Sequence, residues 1–140
     1  MIVVDASALA AFLLKEPGWR RLAKYLVNAV SVDHVVKEVA NAIWKAYALR
    51  SMVGEADALR LYQLLSSMVG VNIVVEPEER YVENALRIAM EHKVTVYDAL
   101  YLALAREKNL PLLTLDKRQA QVARRLGIEL VNAYSEEPSQ

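Results

Sequence analysis

Five short apolar runs punctuate this chain, at residues 2–4, 29–32, 71–75, 112–115 and 128–131. The gaps between them are too long for hairpins and long enough for helices. Residues 34–51 show the helical repeat best, with Val35, Val36, Val39, Ala40, Ile43, Trp44 and Tyr47 recurring at helical spacing. Other helices are expected at residues 7–15, 17–28, 55–69, 78–93, 97–108 and 117–126, with Gly127 closing the last. Short strands alternating with helices predict an α/β fold whose parallel sheet is covered on both faces. Sites in such sheets lie beyond the carboxyl ends of the strands. Polar residues at those ends are therefore the first candidates for function.

Composition narrows the field. A chain of 140 residues is expected to form one domain, here residues 1–134 with a polar tail at 135–140. The absence of Cys excludes a disulfide scaffold, thiolate metal sites and a cysteine nucleophile, and it suits a reducing, cytoplasmic setting. No apolar run approaches the roughly 18 residues of a membrane span. The opening Met1-Ile2-Val3-Val4-Asp5 lacks the basic start of a signal peptide, so no membrane contact is expected. Lys plus Arg total 17, as do Asp plus Glu, so the net charge gives no global steering towards nucleic acid.

The acids are placed unusually. Asp5 and Asp116 directly end predicted strands and should project from one edge of the sheet. Asp98 sits in Tyr97-Asp98-Ala99-Leu100-Tyr101-Leu102-Ala103-Leu104-Ala105, a helix otherwise apolar all round and so expected to be buried. A buried carboxylate is costly without a partner. Thr95-Val96-Tyr97-Asp98 also fits a helix cap, and capping and metal binding are compatible at one residue. Glu38 shares a stripe of its helix with Asn41 and Lys45. If Asp5, Glu38, Asp98 and Asp116 converge from their four segments, like charges repel and raise one another's pKa values. A divalent cation is the simplest remedy, and all-oxygen ligation favours Mg²⁺ or Mn²⁺. Ser7 can cap the first helix, orient Asp5 or touch a substrate phosphate, with capping the leading expectation. Thr114 lies two residues before Asp116, where its hydroxyl can support that acid or a bound water. Simple β-propensity explains it equally well.

Four motifs now stand in order: Val3-Val4-Asp5-Ala6-Ser7, Glu38-Val39-Ala40-Asn41-Ala42, Thr95-Val96-Tyr97-Asp98-Ala99-Leu100-Tyr101-Leu102-Ala103, and Leu113-Thr114-Leu115-Asp116. The chain resembles the PIN-domain family and, more narrowly, the VapC toxins of prokaryotic VapBC toxin–antitoxin pairs. The resemblance covers nearly the whole chain. It implies a five-stranded parallel sheet between helices and an Mg²⁺- or Mn²⁺-dependent endoribonuclease. It maps the family's acidic cluster onto Asp5, Glu38, Asp98 and Asp116, the hydroxyl onto Ser7 and the site-lining amide onto Asn41. Many members carry a further acid near the last one, whereas Lys117 and Arg118 follow Asp116 here. Members are commonly homodimers and are blocked by a cognate VapB-like antitoxin.

Basic groups at Arg20, Arg21 and Lys24 and at Lys117, Arg118, Arg124 and Arg125 suit an RNA path, or ordinary solubilisation. Trp19 and Trp44 are expected in the core or at an interface. A receiver domain needs adjacent acids after the first strand and an acceptor after the third, where this chain has Glu76-Pro77. A haloacid-dehalogenase-type phosphatase needs Asp-x-Asp, and this chain has Asp5-Ala6-Ser7. His34 and His92 sit at helix ends, which argues against a Ser–His hydrolase. The standing rival is a catalytically weak or inactive module that binds RNA or an antitoxin.

Overall fold

Val3 and Val4 are fully buried, and the sheet extends outward from them on both sides. The computed structural model describes residues 1–133. The polar tail expected at residues 135–140 lies outside the described residues. Strand β1 (Ile2–Val4) runs between β2 (Ala29–Val32) and β4 (Leu112–Leu113), and β3 (Ile73–Glu76) flanks β2. The order is β3-β2-β1-β4 and every pairing is parallel. The chain thus moves from β1 to β2 and β3 on one side, then returns to place β4 on the other. The crevice beyond the carboxyl ends of β1 and β4 is the switch point where such sheets bind ligands.

Helices cover the sheet. Helix α6 (Val96–Lys108) packs on β1 and β2, and α5 (Val82–His92) packs on α6. Residues Ala99 to Ala105 of α6 are all buried, as its apolar composition predicts. Helix α1 (Ala6–Leu13) packs against α3 (His34–Ala48), which also contacts α4 (Glu55–Met68). Helix α7 (Lys117–Arg125) follows β4, and Gly127 beyond it adopts φ 74°, the left-handed conformation of a helix terminator. Among the described residues, no helix is long and apolar enough to cross a membrane.

Several expectations need correction. Among the described residues the sheet has four strands, not five. Residues 128–131 meet β4 through one parallel bridge, Leu112 to Leu130. Its two hydrogen bonds run from Leu112 N–H to the Glu129 carbonyl at 2.8 Å and from Val131 N–H to the Leu112 carbonyl at 2.9 Å. The cause lies in β4, which ends at Leu113 rather than residue 115. Beyond Leu113 the backbone turns: the Leu115 N–H, on the β1 side, meets the Ser7 hydroxyl (2.9 Å), and the Asp116 N–H meets the Thr114 hydroxyl (3.1 Å). A two-residue strand offers its outer neighbour little ladder to join. Strand β3 starts at Ile73 because the preceding residues turn, with Gly70 at φ 87° and its N–H on the Ile73 carbonyl. The helix expected over 17–28 is a 3₁₀ turn, Trp19–Leu22, followed by the single turn α2 (Ala23–Leu26). Of the two places expected for Trp44, its 52% exposure excludes the core.

Glu76, at the end of β3, ties the sheet to the helices. It accepts hydrogen bonds from Tyr81 and Arg80, and the Lys108 Nζ lies 2.6 Å away. Burial acts to raise its pKa, but Lys108 and Tyr81 outweigh it and hold the carboxyl below its usual range. A lowered acid stabilises the fold fully above its unfolded pKa and loses that contribution as pH falls through the folded value. Glu76→Gln is therefore expected to cost about 1–3 kcal/mol at pH 7. In urea titrations the gap to wild type should shrink as the pH drops below the ordinary carboxylate range.

Candidate active site

Asp5 follows β1 and is 4% exposed. Its Oδ1 accepts from the Ser7 hydroxyl (2.7 Å) and from the Ala8 N–H (3.2 Å), and its Oδ2 accepts from the Thr114 hydroxyl. Asp5, not Ser7, therefore caps α1. Ser7 instead orients Asp5 and accepts the Leu115 N–H, so the leading expectation of a Ser7 cap is overturned. Thr114 serves Asp5 with its proton and Asp116 only through that residue's N–H. The two hydroxyls, 3.3 Å apart, join the turn after β1 to the turn after β4.

Asp116 caps α7 by accepting the Gln119 N–H at 3.0 Å. Gln119 is buried and donates its side-chain amide to the Asp98 carbonyl at 2.9 Å, tying α7 to α6. Asp98 lies half-buried in the first turn of α6, where its N–H donates to the Thr95 hydroxyl at 3.1 Å, as the capping pattern predicts. Glu38, on α3, accepts the Tyr101 phenol at 2.5 Å. Tyr101 is buried in α6, one helical turn after Asp98. Ser7, Glu38, Asn41 and Asp116 line one open groove of about 900 Å³, together with His34, Lys37, Lys45, Arg50, Glu78 and Tyr97.

The electrostatics link the four acids. Burial pushes the Asp5 carboxyl up to about 6, against the lowering effect of Ser7, Thr114 and the Ala8 N–H, with a further upward push from Asp116. Asp98 is raised by burial, then by Glu38 and by Asp116. Burial, followed by Glu38, drives the Tyr101 phenol far above its ordinary value, so it stays a donor. The acids thus share one electrostatic neighbourhood. They do not share one coordination shell: among the described residues, no three His, Asp or Glu side chains are placed to hold a metal ion together. Glu38 is turned to Tyr101 and Asp116 to the start of α7. As a donor set the four remain all-oxygen and acidic, which fits a hard divalent cation better than zinc.

Sequence reasoning missed Tyr101, Gln119 and the contact of His34 with Tyr97. Gln119 had a signal, since Asp116-Lys117-Arg118-Gln119 has the spacing of a capping pair. Tyr101 had only its position three residues after Asp98.

A parallel sheet with acids at the crossover edge and a polar groove above it defines a class of α/β domain suited to charged ligands. The PIN domain profile matches residues 2–125, and the chain belongs to the PIN-domain family. Ribonuclease VapC3 of Pyrobaculum aerophilum is 34% identical over 123 residues, covering 86% of this chain and 92% of that protein. Exonuclease VapC9 of the same organism is 30% identical over 115 residues, covering 82% and 80%. The crystal structure of PAE2754, also from Pyrobaculum aerophilum, superposes with a TM-score of 0.66 at 27% identity, covering 86% of this chain and 84% of that one.

A buried acid with a raised pKa destabilises the fold once ionised. For Asp5, stability falls as pH rises from about 3.8 to about 6 and is flat above. Asn retains the cap and the acceptor for Ser7 without the charge. Asp5→Asn is therefore expected to stabilise the metal-free protein by about 1–3 kcal/mol at pH 7. Thermal melts in EDTA at pH 7.5 and pH 4 should show the gain at the higher pH only.

Proposed function

We propose that this chain is an endoribonuclease dependent on Mg²⁺ or Mn²⁺ and acts as the toxin of a toxin–antitoxin pair. The observation that carries the reading is the set of four carboxylates from four segments whose charges act on one another at the sheet's switch point. The names of the VapC relatives support an RNA substrate. A bound divalent ion would supply a water of lowered pKa and neutralise charge on the phosphodiester. Asp5, Glu38, Asp98 and Asp116 would hold it. In this reading Ser7 and Thr114 fix Asp5, and Tyr101 sets the carboxylate of Glu38. Asn41 and Lys45 lie on the groove wall, where an amide and an ammonium suit phosphate oxygens. A VapB-like antitoxin, a homodimer and a cytoplasmic setting complete the proposal, drawn from the family resemblance.

One observation favours a second reading. The acids are not gathered into a single coordination shell, which suits a module that binds RNA or an antitoxin with little cleavage. A panel of RNAs incubated with Mn²⁺, Mg²⁺ or EDTA separates the two. Wild type is expected to cut with metal only, and Asp98→Asn to lose more of the rate than the roughly 10- to 100-fold that loss of a ligand's supporting partner costs. Mn²⁺ binding by calorimetry without cutting would favour the second reading. One relative is named an exonuclease, so a circular RNA belongs in the panel: an endonuclease linearises it and an exonuclease leaves it intact.

A further inference from the structure

The groove holds one aromatic surface whose placement the carboxylate chemistry does not explain. Tyr97 precedes Asp98 on α6, lines the groove and is 59% exposed. Its ring stacks on the imidazole of His34, with centroids 4.9 Å apart and planes inclined by 10°. His34 is itself 8% exposed and stands between two acids, its Nε2 3.7 Å from Glu38 and its Nδ1 3.8 Å from Glu78. A half-open ring backed by a buried ring is already fixed in place. A ligand stacking on it does not have to immobilise a freely rotating side chain. Lys45 and Arg50 line the same groove and bring positive charge to it. Aromatic faces beside basic side chains are how unpaired nucleic-acid strands are held, the bases stacking while the phosphates meet the cations.

We propose that the open face of Tyr97, backed by His34, is a nucleobase-stacking platform that holds an unpaired base of single-stranded RNA beside the carboxylates. The proposal rests on the ribonuclease reading and adds a subsite to it. Stacking accepts any base, so the platform selects unpaired over duplex RNA and carries little sequence preference. The phenol hydroxyl has no part in it.

The test uses the full chain and short fluorescent single-stranded RNAs, with Ca²⁺ replacing the catalytic ion and binding read by anisotropy. Tyr97→Phe should bind as wild type does. Tyr97→Ala should bind about 5- to 150-fold more weakly, the range that corresponds to about 1–3 kcal/mol for one stacked base. An abasic nucleotide walked along the RNA should weaken wild type at one position and leave Tyr97→Ala indifferent there. Equal affinity of wild type and Tyr97→Ala overturns the platform, as do identical abasic profiles, or a Tyr97→Phe as weak as Tyr97→Ala. A wild type that neither binds nor cuts any RNA overturns the ribonuclease reading and the platform with it. A wild type that cuts RNA while Tyr97→Ala binds unchanged overturns the platform alone.

Discussion

The hydrogen bonds from Ser7 and Thr114 to Asp5 are the contacts on which the rest of the site depends. Strands β1 and β4 are three and two residues long, and their backbone registration runs out at the bond from the Asp5 N–H to the Leu113 carbonyl. The two hydroxyls complete that registration and continue it into the starts of α1 and α7. They also answer the cost of burying a carboxylate, since an ionised group out of water must be met by donors. Three donors converge on Asp5, and its pKa still rises. The site therefore sits at a local energetic loss that the apolar core around Val3, Val4 and Leu113 has to offset.

The parallel sheet and its helices were legible because both signals are periodic and local. Ile2–Val4 and Ala29–Val32 could be read directly, and the run of buried residues in α6 followed from its having no polar face. The fifth strand was not legible. Residues 128–131 have strand composition, but pairing also needs a neighbour with free backbone groups. On that side β4 offers the N–H and carbonyl of Leu112 and then ends at Leu113. Composition reports what a segment prefers and says little about what its neighbour has left to offer.

The candidate site divides in the same way. Asp5 and Asp116 were visible as acids at strand ends, and Asp98 as a charge in an apolar helix. Glu38 drew notice only as one of a set, because a glutamate on an exposed helix stripe is ordinary. Tyr101 looked like core, since nothing in its own helix marks a phenol that reaches a carboxylate 63 residues away. How far the four acids close on one another depends on side-chain rotamers, and these follow contacts that only the fold brings together. Glu38 is turned by Tyr101, and Asp116 by the first turn of α7.

Gln119 links Asp116 to the backbone of Asp98, while Thr114 links Asp5 to the backbone of Asp116. Three of the acids thus belong to one hydrogen-bonded frame made of β1, β4, α6 and α7. Glu38 joins that frame through the single phenol of Tyr101 and otherwise travels with α3. The outer part of α3 carries Trp44 and Tyr47, both exposed. Mechanically, three acids are spaced by one frame, and the fourth is pinned to it from a separate helix. The distance of Glu38 from the other acids is therefore set by how α3 packs on α6, whereas the spacing of the other three follows from the turns that carry them.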